Sequence, residues 1–263
     1  MIDYQAPRYA PQPNITIASQ TAPSDGVTIY GDGLSFFGLH NNIARFIRVR
    51  QGITGTSGTD AMGIANGHDM IFDHITSSWG RDETFSISGC ITNITIQSAI
   101  ISQGLQGHSA GGLIQTDGGV SILRSLYIDN DTRNPKVKGV SEFVNNVVCN
   151  WETIGYNMGG DSAGESFVNV FNNYFVRGPA SGSTVIGGGN TDFHIFRANK
   201  WHDSNRNGIL RWCRPLCRLL RFTRCANRTL RLSHHDQLRL HSAHRTQARH
   251  QRRRLVIPAR QRG

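Results

Sequence analysis

The stretch Glu142–Asn150, EFVNNVVCN, has a near copy in Asn169–Val176, NVFNNYFV. In each, an apolar run breaks at two asparagines and then resumes. Asparagine is a turn residue because its short amide bonds readily to nearby backbone. An amide at the inside of such a turn can also bond to the matching amide one copy away. The pairs Asn145–Asn146 and Asn172–Asn173 therefore suit the inside turns of a stacked, repeating structure.

The same pattern extends in both directions. Short runs rich in Ile, Val and Phe recur as ITIAS (15–19), ARFIRVR (44–50), DMIFDHI (69–75), NITIQSAII (93–101), SILRSLYI (121–128) and FHIFRANKW (193–201). Gly, Asn, Asp and Ser separate them, as expected at strand boundaries. The apolar residue before each polar pair gives the anchors Phe72, Ile96, Leu123, Val144, Phe171 and Phe196, with gaps of 24, 27, 21, 27 and 25 residues. A period of that size points to a solenoid. Helical periodicity is nearly absent over residues 14–200, so helical and leucine-rich repeats fit poorly. The expected fold is all-β, a right-handed parallel β-helix incomplete at both ends. A β-sandwich with an accidental rhythm is the alternative.

The formal charge of +10 over 263 residues suggests a nucleic-acid partner until the chain is divided. Residues 1–210 hold 13 Lys and Arg against 17 Asp and Glu, a balance of −4. Residues 211–263 hold 15 Arg and one acid, Asp236, a balance of +14. The basicity belongs to the tail alone. That tail mixes Arg, His, Leu and Cys without lysine, which resembles a GC-rich gene read out of frame more than an evolved nucleic-acid-binding segment. Its Cys213, Cys217 and Cys225 match no common zinc spacing. No apolar run reaches the roughly 18 residues of a membrane span, and MIDYQAPRYAPQPN lacks the apolar core of a signal peptide. Three parts are expected: an irregular N-terminal remnant (1–13), a β-helix (14–210) and a non-native or disordered Arg-rich tail (211–263).

Several stretches carry a family resemblance. NITIASQTAPSDGVTIYGDG (14–33), DMIFDHITSSWGRDETFSISG (69–89), ITNITIQSAIISQGL (91–105), TRNPKVKG (132–139) and VNNVVCNW (144–151) together resemble the pectate lyase family of polysaccharide lyases. The similarity runs from about Asn14 to Asn207. It implies a right-handed parallel β-helix, truncated at the N-terminus and out of frame after about residue 210. It also implies calcium-assisted β-elimination of α-1,4-linked polygalacturonate, with a base removing the C5 proton and the C4 glycosidic oxygen leaving. The implied partner is an acidic polysaccharide, acted on by a secreted monomer with no specific nucleic-acid or membrane partner.

Matched motif by motif, the resemblance places calcium ligands at Asp60 and Asp82. The family's third carboxylate falls on Ser86. Glu83 is the neighbouring acid that could compensate, although on a regular strand it would face away from Asp82. Without the resemblance, Asp60 and Asp82 read more readily as turn acids; the resemblance reverses that preference. Arg133 falls on the family's catalytic base and Lys138 on a substrate-binding cation. Lys136 alternates with Lys138 and would share its face, as a second substrate contact or as a solvated lysine. Arginine is a weak base by its ordinary pKa, so an electrostatic role for Arg133 is easier to derive. A lysine that relatives carry one coil earlier falls on Ala110. His108 reads as a sugar contact or a merely exposed histidine. Asp73 and His74 read as structural, and Trp79 and Trp151 as sugar platforms or coil packing. The competing function is a non-catalytic β-helix that binds acidic polysaccharide, or an inactive gene fragment.

Overall fold

The computed structural model describes residues 12–206 other than 25 and 106, together with the short strands Ile2–Asp3, Arg8–Tyr9 and Arg211–Trp212. Most of the basic tail, including Cys213, Cys217, Cys225 and Asp236, lies outside the described residues. Among those described, the single helix is one 3-10 turn, Ser19–Thr21, and everything else regular is strand.

The chain winds as a parallel β-solenoid with three faces. One face is a sheet containing Val27–Tyr30, Ile47–Arg50, Thr76–Ser78, Ile100–Ser102, Leu126–Ile128, Val147–Cys149, Tyr174–Val176 and Trp201–Asp203. A second face contains Leu34–Ser35, Met62–Ala65, Phe85–Gly89, Ile154–Met158 and Thr184–Gly187. A third contains Thr16–Ala18, His40–Arg45, His68–Asp73, Thr92–Gln97, Ser166–Phe171 and Phe193–Ala198. Two long strands, Leu113–Leu123 and Lys136–Val144, run through both the second and third faces and join them into one sheet.

Inward side chains stack in ladders. On the third face Ala44, Phe72, Ile96, Ile122, Phe143 and Val170 pair coil to coil, and each is at most 2 % exposed. Burying a complete aliphatic or aromatic side chain contributes about 2 kcal/mol, so such ladders supply the main driving force for stacking. The register corrects the anchors read from sequence. Phe72 and Ile96 are true ladder partners, but Ile122, not Leu123, continues their row, and the partner of Phe171 is Ala198, not Phe196. A shift of one residue in a strand swaps inside for outside.

From Arg45 onward the corner from the third face to the first is one or two residues long; in the coil before, it runs over 19–26 and contains the 3-10 turn. Its leading residue is left-handed each time: Phe46, His74, Ser98, Arg124, Asn145, Asn172 and Asn199 have φ between 48° and 58°. The residue after it points inward. Asn146 is fully buried; its Oδ1 accepts from Ser125 N–H at 2.8 Å and its amide donates to Ile122 O at 2.9 Å. It also donates from both backbone and side chain to Asn173 Oδ1, at 2.8 and 3.2 Å. The expected amide ladder forms, buried, from the second asparagine of each pair; the first makes the turn, and Asn172 also accepts from the Asn199 amide one coil on at 3.0 Å. In the next row His74 donates or shares a proton with Asp73 at 2.6 Å, and Asp73 accepts from Arg45 and Gln97 at 2.8 and 3.1 Å. Burial opposes ionisation of Asp73, but these bonds outweigh it and hold the carboxyl below its ordinary pKa. Asp73 and His74 are structural, as expected. So is Trp151, fully buried and edge-on to Phe175.

Candidate active site

The corner from the first face to the second behaves differently. Its connections, 31–33, 51–61, 79–84, 103–112, 129–135, 150–153 and 177–183, range from 3 to 11 residues. Asp60, Asp82, Glu83, His108 and Arg133 all lie on them. Chain crossings here are tight: a Cβ on Gly33 would lie 2.2 Å from the Asp60 carbonyl oxygen, so this position accepts only glycine.

Asp60, Asp82 and Glu83 line one open groove of about 340 Å³, together with Asp32, Ser86 and backbone from neighbouring coils. The two acid-bearing connections are bonded to each other: Asp82 N–H donates to Thr59 O at 3.1 Å, and Glu83 N–H to Asp60 Oδ1 at 3.0 Å. Gln51, fully buried, braces both. Its amide donates to Thr59 Oγ1 at 2.6 Å, and its Oε1 accepts from Arg81 N–H at 2.9 Å. Burial, and then the charge of Asp82, push the Asp60 carboxyl up to about 7. Ser86, Arg133 and His108 pull the other way. Carboxylates held this close favour either a shared proton or a bound cation.

Glu83 does not face away from Asp82. The regular strand begins only at Phe85, and the bridge of Glu83 to Ala110 leaves residues 81–84 irregular, so the two acids converge. His108 Nε2 lies 3.1 Å from Asp82 Oδ1 and 3.8 Å from Glu83 Oε1. The guanidinium of Arg133 reaches Glu83 Oε1 from two coils further on, past the coil that carries Ala110. Arg133 has φ 55°, and its backbone N–H donates to Asn157 Oδ1 at 3.2 Å. Ala110 is fully buried and carries no side chain into the groove that could replace a lysine.

Lys136 and Lys138 do share a face of their strand, with Val137 turned inward between them. Both are occupied by the connection that follows Ile154–Met158. Lys136 Nζ pairs with Asp161 Oδ2 at 2.5 Å, and Lys138 Nζ, itself 6 % exposed as a residue, donates to the carbonyls of Ser162 and Gly164 at 2.7 and 2.5 Å. Gly139 follows with φ 91°, where a Cβ would meet Thr116 O at 1.5 Å. Trp79 is half-buried, donating to Gln103 Oε1 at 3.1 Å beneath the Arg50 guanidinium.

Sequence reasoning left two residues of this site without a role: Gln51, which lies in none of the matched stretches, and Asp32, which lies at the end of one. His108 reads from sequence as a sugar contact or an exposed histidine, and only the return path of residues 103–112 brings it to the acids. A divalent cation fits the donor set: the carboxylates of Asp32, Asp60, Asp82 and Glu83 and the hydroxyl of Ser86 line one groove.

Comparisons with known proteins bear on descent and on the fold. No protein-family model matches the chain. Over 196 residues, 74 % of the chain, it is 57 % identical to the protein named "probable pectate lyase C" of Aspergillus fumigatus and to its namesake in Neosartorya fischeri. The namesake in Emericella nidulans is 56 % identical over the same length. The chain spans about half the length of these relatives, 47 % of the first. Among solved structures, a thermostable pectate lyase aligns at a TM-score of 0.52 with 16 % identity, covering 71 % of this chain and 54 % of that one. A pectate lyase of Paenibacillus sp. 0602 aligns at 0.51 with 11 % identity, covering 70 % and 61 %. These two likenesses bear on the fold, and the curated relatives on descent: the chain is a β-solenoid homologue of the pectate lyases.

Proposed function

We propose that the chain carries the catalytic groove of a polysaccharide lyase that cleaves α-1,4-linked polygalacturonate by β-elimination. The observation that carries the reading is the groove lined by Asp60, Asp82 and Glu83 from two adjacent coils, with the Arg133 guanidinium, two coils further on, in contact with Glu83. In the reaction the C5–H bond breaks, its electron pair forms a C4–C5 double bond, and the C4 glycosidic oxygen leaves. The C5 proton is weakly acidic, so the groove must stabilise charge that spreads onto the sugar carboxylate. Calcium, held by Asp60, Asp82 and Glu83, would supply that charge when bound.

Arg133 is the catalytic residue of this reading. Its guanidinium, held beside Glu83, steadies the enolate-like carboxylate as the proton departs. The role of base comes from the family resemblance. Lys136 and Lys138 are the substrate-facing cations of the resemblance. In this chain they also hold the 159–165 connection in place, so uronate binding at Lys136 exchanges Asp161 for the substrate carboxylate. An extracellular setting and a monomeric state belong to the same reading, with an acidic polysaccharide as partner.

The test is incubation of the full chain with polygalacturonate and calcium, following ultraviolet absorbance of the unsaturated product. Turnover that disappears in Arg133→Ala is the expected result, and an intact chain that gives none overturns the reading. A non-catalytic polysaccharide binder is the second reading, favoured by Ser86 and Ala110 at positions where a carboxylate and a lysine are expected. Oligogalacturonate binding without turnover selects it.

A further inference from the structure

We infer that His108 is a nitrogen ligand of the cation site, and that the site prefers a first-row divalent ion of the manganese(II) kind over calcium. The inference rests on the reading of Asp60, Asp82 and Glu83 as a cation site and concerns which ion they hold. Three donor atoms, one each from Asp82, Glu83 and His108, lie within 4.8 Å of one another. His108 Nε2 is 3.1 Å from one carboxylate oxygen and 3.8 Å from the other. Donors that share an ion at about 2.1 Å stand apart by distances of this order.

The imidazole is carried on a tethered loop. Leu105 N–H donates to Gly80 O at 2.9 Å, and Gly104 N–H to Asn130 Oδ1 at 3.0 Å. At the other end Asp131 N–H donates to Ser109 Oγ at 3.2 Å and Thr132 N–H to Ser109 O at 3.3 Å. His108 is thus fixed between the acid-bearing coil and the arginine-bearing coil. Its side chain is 42 % exposed, which leaves the site open to an ion from solvent.

The chemistry of the set decides the ion. Calcium takes six to eight oxygens and gains little from imidazole, whereas manganese, cobalt and zinc accept mixed imidazole and carboxylate ligands. Ser86 offers a hydroxyl where a third carboxylate is expected, and Glu83 shares an oxygen with Arg133. Both features weaken a hard, all-oxygen site. The nitrogen of His108 compensates for an ion that accepts it.

The experiment uses the untagged full chain, stripped of metal, with manganese(II) and calcium as separate probes. Affinities are measured by calorimetry, and bound manganese is examined by pulsed electron paramagnetic resonance for coupling to a ligand nitrogen. The expected result is manganese bound more tightly than calcium, with a nitrogen coupling that vanishes in both His108→Ala and His108→Gln. Manganese affinity should fall roughly tenfold or more in each variant, while thermal unfolding of the metal-free chain stays unchanged. Manganese bound without nitrogen coupling, or variants that bind both ions like the parent, would overturn the inference and leave the calcium reading standing. Binding of neither ion at millimolar concentration would bring down both.

Discussion

The two corners that flank the first face of the solenoid follow opposite rules. From Phe46 onward the corner entering it has one or two residues and a left-handed lead residue. Its inner residue is apolar, as at Ile75 and Ala99, or hydrogen-bonded within the stack, as at Ser125, Asn146 and Asn173. The corner leaving it varies from 3 to 11 residues and carries every acid of the groove, together with the Arg133 that contacts Glu83. A corner that satisfies its own polar groups can be repeated but has nothing left to offer a ligand. A corner of variable length breaks the ladders, and its side chains are then free to converge across coils. Fold and function are segregated to neighbouring edges of the same sheet.

The strongest way to break this contrast is to damage the constant corner. Asn146→Leu deprives Ser125 N–H and Ile122 O of buried partners, a loss of roughly 3 kcal/mol or more. Denaturant unfolding should show a much lower midpoint or no folded chain. A variant as stable as the parent would deny the corner its structural role.

Damage to the variable corner should have the opposite signature. Gln51→Leu keeps the volume but removes the brace between the two acid-bearing connections. Divalent cation affinity should fall roughly tenfold to a hundredfold, as for other outer-shell supports. Gln51→Asn should restore part of it if the brace, and not packing, is what matters. Calorimetry on the two variants provides the comparison.

Protonation probes the same corner more gently. The Asp60 carboxyl titrates at about 7 in the metal-free fold, against an ordinary value of 3.8. Its folded pKa is raised, so between these values the folded chain holds a proton that the unfolded chain has lost. Metal-free stability therefore declines as pH rises from about 4 to about 7, and Asp60→Asn should flatten that decline. Cation binding has to displace the same proton. Affinity should strengthen by up to about tenfold per pH unit below 7 and level off above it. The smallest effect belongs to the exposed half of the constant corner. Asn145→Val places a β-branched residue at φ 58° and should cost about 1 kcal/mol without changing cation affinity.

The same contrast explains what could be read from sequence. The constant corner repeats, so NN pairs and apolar runs announced both the period and the fold. The anchors failed at Leu123 and Phe196 because apolar residues also occur at outward positions, and composition does not distinguish the two sides of a strand. In the variable corner, motif matching found Asp60, Asp82 and Arg133. It missed the convergence of Glu83 because residues 81–84 are not a regular strand. His108 and Gln51 depend on the path of loops with no repeat to calibrate them. The capture of Lys138 by the carbonyls of Ser162 and Gly164 is a contact between coils that no local spacing announces.

The two long strands Leu113–Leu123 and Lys136–Val144 also determine where the molecule comes apart. In a stack of coils each layer is held only by its neighbours, so opening begins at the ends and moves inward. Elsewhere each coil can release one face at a time. These two strands bind the second and third faces into one continuous piece, beside the coils that carry His108 and Arg133. Fraying from the C-terminal side would therefore leave the groove until last, whereas fraying from the other side reaches Asp32 and Asp60 first.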